Sequence, residues 1–151
     1  MRIIDTIKNI LIEQINSYRT LLELLQRERE CLINLDANEV ENLSKEKDTI
    51  VLKLRLLEEE RIRLIKKYSA DNAMNGSISL HDLSELTGDN DFQVMRLQLI
   101  SLLQSLQELN AFNMILIERS LSFVNHSMGF LESFGLYINQ KNTGIMLSKE
   151  I

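Results

Sequence analysis

The chain has 151 residues, a net charge of −5 and a hydrophobic share of 44%, which suits one domain with a real core. It contains no proline or tryptophan and is rich in Leu, Ile, Glu and Asn, a balance that favours helix and coiled coil over a sheet sandwich. The acidic balance argues against nucleic acid as a partner, since the densest basic spot is only Lys66-Lys67.

No apolar run approaches the roughly 18 residues of a membrane span, so membrane insertion is not expected. The start, Met1-Arg2-Ile3-Ile4-Asp5, lacks the long apolar region and cleavage site of a signal peptide. The single Cys31 excludes an intrachain disulfide framework and suits a reducing compartment. The expectation is a soluble, cytoplasmic, all-α protein: one helical domain over residues 1–151, built as an elongated antiparallel hairpin plus a third long helix.

A first helix is predicted over residues 3–33. Ile4, Leu11, Tyr18, Leu25 and Leu32 repeat every seven residues, and Ile7, Ile15 and Leu22 fill the intervening turns. The break falls at Asn34-Leu35-Asp36. Asp36 followed by Glu39 is a helix-start signal, because the aspartate can accept from the early backbone N–H groups of the next helix.

A second helix is predicted over residues 37–68. Its seam is Val40, Leu43, Lys47, Ile50, Leu54, Leu57, Arg61, Leu64 and Tyr68. The short connection predicts an antiparallel hairpin about 45 Å long. Lys47 and Arg61 stand where an aliphatic residue is expected. Either they meet acids of the first helix (Glu23 or Glu28 for Lys47, Glu13 for Arg61) or they snorkel outward along the seam edge. The run Glu58-Glu59-Glu60 reads as a solvated face, since consecutive helical carboxylates point in different directions.

Residues 69–90 are rich in Ser, Asn, Asp and Gly, with Asn75-Gly76 a strong turn dipeptide. Within this linker Leu80, Leu83 and Leu86 predict a short helix ending near Gly88. A third long helix is predicted from Asp89 or Asp91 to about Phe134, opening with the seam Phe92, Met95, Leu99, Leu102, Leu106 and Leu109. The tail, residues 135–151, is expected to be poorly ordered without a partner.

The C-terminal part of that helix carries two apolar stripes. One is Leu109, Phe112, Leu116, Phe123 and Phe130; the other is Met114, Ile117, Leu121, Val124, Met128 and Leu131. They lie roughly 130° apart around the helix. One can be buried in the protein's own core. The other needs a cover: a helix of the same chain, a second copy in a weak homo-oligomer or a permanent homodimeric coiled coil, or a client. Met114 and Met128 suit a surface that adapts to several partner shapes. Asn110 and Asn113, three residues apart, serve either as contacts for such a partner or as a polar layer inside the bundle.

Catalysis is not expected. His81 and His126 are the only histidines and belong to different segments, and no HExxH, CxxC or phosphate loop is present, so neither metal nor cofactor is expected. Cys31 lies near a helix C-terminus, where the dipole disfavours a thiolate.

Leu21-Leu22-Glu23-Leu24-Leu25, Glu28, Leu32, Asp36, Leu43, Lys47, Leu54, Leu57, Glu58 and Arg61 together resemble the first helical hairpin of the FlgN family of flagellar type III export chaperones. Leu106-x-x-Leu109-Asn110-x-x-Asn113-x-x-Leu116-Ile117-x-x-Ser120-Leu121 is similar to that family's C-terminal segment. The resemblance covers residues 20–67 and 100–144. It implies a small cytoplasmic chaperone that binds the C-terminal helical regions of hook-associated junction proteins, keeps them unassembled and presents them to the export apparatus. By that resemblance the client-binding residues are Asn110, Asn113, Ile117, Leu121, Val124 and Met128; Met114 and Leu131 complete the same apolar stripe. One departure is the tail, where Tyr137 and Gly144 are seven apart although the family often has a tyrosine followed closely by glycine.

Overall fold

A computed structural model describes residues 2–74, 76 and 78–133. They form four helices, α1 (Ile3–Ile33), α2 (Ala37–Asp71), α3 (Leu80–Thr87) and α4 (Asp91–Glu132), with no strand among the described residues. The expected tail at 135–151, the expected helix end at Phe134 and Gly135, and Asn75 of the expected turn lie outside the described residues. α2 continues one turn past the predicted end at Tyr68, because its inward line extends to the buried Ser69.

α1 is the central element. Its seam is Ile7, Leu11, Gln14, Tyr18, Leu21, Leu25 and Glu28, alternating spacings of four and three, and none of these side chains is more than 1% exposed. A second line, Ile10, Ser17 and Leu24, is also buried, so α1 is covered on two sides. The sequence reading puts Leu22 in the seam; Leu22 is only partly buried and Leu21 takes its place.

Polar contacts give the directions of the other long helices. Gln14 meets Glu58 and Arg61, Glu28 meets Lys47, and Arg27 meets Glu39, so α2 runs back along α1. On the other side Lys8 meets Asp89 and Asp91, and Asn113 meets Leu25 and Glu28. α4 therefore runs in the same direction as α1. α1 packs against both α2 and α4, while α2 and α4 make no close backbone approach to each other.

The local signals that end and start the helices are specific. At the α1–α2 turn Leu35 adopts φ 57, which lets the Asp36 N–H donate to the Cys31 carbonyl at 2.9 Å. Asp36 then accepts from the Glu39 N–H at 3.2 Å, satisfying one of the orphan donors of α2. α3 begins with a reciprocal Ser79–Asp82 capping box and ends at Gly88, φ 67, in the left-handed conformation that glycine adopts without steric cost. α3 packs on α4, with Leu83 and Phe92 both fully buried.

Two stability outcomes follow from these positions. Leu54→Ala, at a side chain only 5% exposed in the seam, should cost about 2–4 kcal/mol in denaturant titration. Leu35 is 74% exposed and contributes little packing, so Leu35→Gly should instead stabilise by about 1 kcal/mol by relieving its left-handed backbone.

Candidate interaction surface

Where α4 nears the end of α1, all three long helices meet in a buried polar layer. The Lys47 ammonium donates to Glu28 Oε2 at 2.6 Å, and the two side chains are 3% and 0% exposed. The Asn113 amide donates to the other oxygen, Glu28 Oε1, at 3.0 Å, and to the Leu25 carbonyl at 2.9 Å. Both partners of that amide are acceptors, so the nitrogen of Asn113 must face them. Burying a carboxylate is costly unless it is paired and hydrogen-bonded, and here each oxygen has its own donor. Of the two sequence readings for Lys47, pairing with an acid of α1 is the one observed, and the acid is Glu28 rather than Glu23.

A second polar layer lies half-way down the hairpin. Arg61 donates to Glu58 Oε1 at 2.6 Å and to Gln14 Oε1 at 3.2 Å, and Gln14 Nε2 returns a bond to Glu58 Oε2 at 2.8 Å. The expected partner Glu13 is exposed on the far side of α1, because only its neighbour Gln14 falls on the seam. Glu58, three residues before Arg61, sits on the same helix face and supplies the carboxylate. That member of the acidic run is therefore drawn into the bundle instead of facing solvent. Tyr18 lies nearby; burial, reinforced by the Glu58 charge, pushes its phenol well above its ordinary pKa.

The start of α4 is tied to α1 by Lys8. Its ammonium bridges Asp89 and Asp91 and lies 5.7 Å from the centre of the Phe92 ring. The hydrogen bond from Lys8 holds the Asp89 carboxyl below its usual range, and the two aspartates raise Lys8.

Past Asn113 the bundle runs out. α1 has five residues left after Glu28, whereas α4 has nineteen after Asn113, so α4 projects beyond the α1–α2 turn by on the order of 20 Å. Asn113 is the last buried residue of α4. Ile117, Leu121, Val124, Met128 and Leu131 follow it at spacings of four and three, so they continue the inward-facing line into the projecting part. There they are only partly covered, and Val124 is 41% exposed. Met114 and Asn110 flank Asn113 and are partly buried. Of the eight residues predicted to bind a partner, Val124 is exposed and Asn110, Met114, Ile117, Leu121, Met128 and Leu131 are partly buried, while Asn113 is turned into the bundle at 1% exposure.

The aromatic stripe behaves differently from a core. Leu109 packs against the core, but Phe112 is 45%, Phe123 70% and Phe130 65% exposed. It diverges from the inward line, and beyond the end of α1 no described helix faces it. The shallow groove lined by Arg119, Ser122, Phe123, His126, Ser127, Phe130 and Leu131 is drawn from α4 alone and is a helix surface rather than a cavity.

Other chemistry is thin. No group of three or more His, Cys, Asp or Glu is placed to share a cation among the described residues. His81 is exposed beside Gln93, and His126 is exposed on the projecting helix. Burial, with Asp36 and Glu39 close by, pushes the Cys31 thiol up. None of the described helices is long and apolar enough to cross a membrane.

A family model described as FlgN protein matches residues 1–134. The chain belongs to the FlgN family. That family is one of flagellar export chaperones, not of enzymes. Comparison with curated proteins and with solved structures found no match. The match ends within two residues of the last described part of α4, so the projecting helix of this FlgN-family chain lies within it.

Lys47→Met should destabilise by about 3–5 kcal/mol, because Glu28 would remain buried without its counter-charge, and adding Glu28→Met should restore most of the loss; denaturant titration of the single and double variants measures both. The Lys8–Asp89 pair supports stability in full above the ordinary carboxylate range. Its contribution fades as pH falls through the lowered Asp89 value, and at the other extreme as pH rises through the raised Lys8 value. Asp89→Asn should therefore flatten part of the loss of stability below about pH 4, seen in titrations at a series of pH values.

Proposed function

We propose that this FlgN-family chain is a cytoplasmic export chaperone that binds the C-terminal helical regions of hook-associated junction proteins through the projecting part of α4. The supporting observation is that the inward-facing line of α4 continues past Ile117, level with the last turn of α1, as Leu121, Val124, Met128 and Leu131 where α1 has ended. Apolar helix surface of this kind is stabilised when a second helix covers it. Asn110 and Met114 form the edge nearest the bundle, and Asn113 supports that edge from inside. Met114 and Met128 let the surface repack around different clients. Covering the sticky terminal helix of an assembly protein keeps it from pairing early; release at the export apparatus then frees it.

The test separates binding from folding. Leu121→Asp with Val124→Asp should leave helical content and melting temperature nearly unchanged, since both residues lie beyond the end of α1. The same change should abolish capture of a junction-protein C-terminal peptide, because two charges would enter a desolvated contact without partners. Leu102→Asp, at a side chain packed against the core, should unfold the bundle instead. Retained capture by the Leu121/Val124 variant sinks the proposal. A dimer that persists at low micromolar concentration and is not displaced by the peptide would favour a permanent homodimeric coiled coil.

A further inference from the structure

We infer that Glu28, Lys47 and Asn113 are positioning residues that lock the register of α4 along α1 and so determine how much of α4 projects. The apolar seams cannot do this alone. Along α4 the positions Phe92, Leu99 and Leu106, and likewise Met95, Leu102 and Leu109, repeat at seven-residue intervals with side chains of similar kind. Along α1 the buried positions Leu11, Tyr18 and Leu25 repeat in the same way. A slip of one heptad would return apolar side chain against apolar side chain. It would shift α4 by about 10 Å.

Asn113 breaks that degeneracy. It stands at the next seven-residue step after Leu106 and is the one buried polar residue of α4. Its amide nitrogen satisfies two acceptors of α1, the Leu25 carbonyl and Glu28 Oε1. After a slip, Leu106 or Ser120 would face Glu28, and one buried carboxylate oxygen would lose this donor. A single polar residue among interchangeable apolar ones is a register device known from coiled coils. The α1–α2 pair has two such pins, Glu28–Lys47 and Gln14–Glu58–Arg61. In the pairing of α1 with α4, the buried pin is Asn113.

The consequence for function rests on the chaperone reading: the register sets the free length of apolar helix that a client meets. The register itself is measurable without a client, so its failure and the failure of that reading are separate results. With Cys31 replaced by serine, spin labels at the exposed positions of Glu13 and Glu118 would report the spacing along the helix axis by pulsed dipolar spectroscopy. The native chain should give one distance.

Moving the polar residue by one heptad, with Asn113→Leu and Ser120→Asn, should shift the main distance by about 10 Å toward shorter values as the relocated amide takes the place beside Glu28. Replacing the whole layer, with Glu28→Met, Lys47→Met and Asn113→Leu, should keep the melting temperature near native while broadening the distance into more than one population. An unchanged single distance in either folded variant overturns the inference. So does loss of cooperative folding in both, which would make the layer a source of stability rather than of register.

Discussion

The Glu28 carboxylate is the group around which the three long helices are arranged. It is fully buried at the far end of α1, one oxygen held by Lys47 of α2 and the other by Asn113 of α4. A charge in that position has few acceptable surroundings, because desolvation is offset only when its partners stand at hydrogen-bond distance. Leucine seams supply most of the burial and hence most of the driving force, but they tolerate many alignments. The polar layer accepts few. Its geometry is what couples the α1–α2 packing to the α1–α4 packing, since α2 and α4 do not otherwise approach each other closely.

The same geometry creates the open surface. α4 is 42 residues long and α1 is 31, and the two run in the same direction. The surplus therefore accumulates at the end opposite the Lys8 bridge, past the α1–α2 turn. In that surplus the inward line stays apolar, and the outward line carries phenylalanines. For a lone chain this leaves water against a large apolar area, and under the proposed function that area is where a client helix is covered. The rest of the molecule is ordinary bundle chemistry, with no grouping of metal-binding side chains among the described residues.

Much of the polar architecture is legible in the chain, and the parts that are not have physical causes. Lys47 and Arg61 are conspicuous because a basic residue interrupts an aliphatic seam, and Glu28 is one of the acids within reach of Lys47. Gln14 is masked by its neighbour Ile15, the more natural choice for a heptad traced through aliphatic residues. The spacing Leu11, Gln14, Tyr18 is nevertheless the true 3-4 step. Glu58 is hidden inside an acidic run that resembles a solvated face, and only the azimuth of Arg61 distinguishes it from Glu59 and Glu60. For Asn113 the sequence allows both an internal layer and a partner contact, and burial decides for the layer.

Periodicity, turn residues and capping signals in the sequence are local properties, and they suffice for the all-helical class, the break at Asn34-Leu35-Asp36, the short helix ending near Gly88 and the two-stripe character of the last helix. Which stripe continues the inward line is not a local property. It depends on where α1 ends relative to α4, and that offset comes from contacts between residues some 80 to 90 positions apart: Lys8 with Asp89 and Asp91, Asn113 with Leu25 and Glu28. A helix carries its own periodicity in its sequence. Its alignment against a neighbour exists only once the two are packed, because burial selects the one register that leaves no charge without a partner.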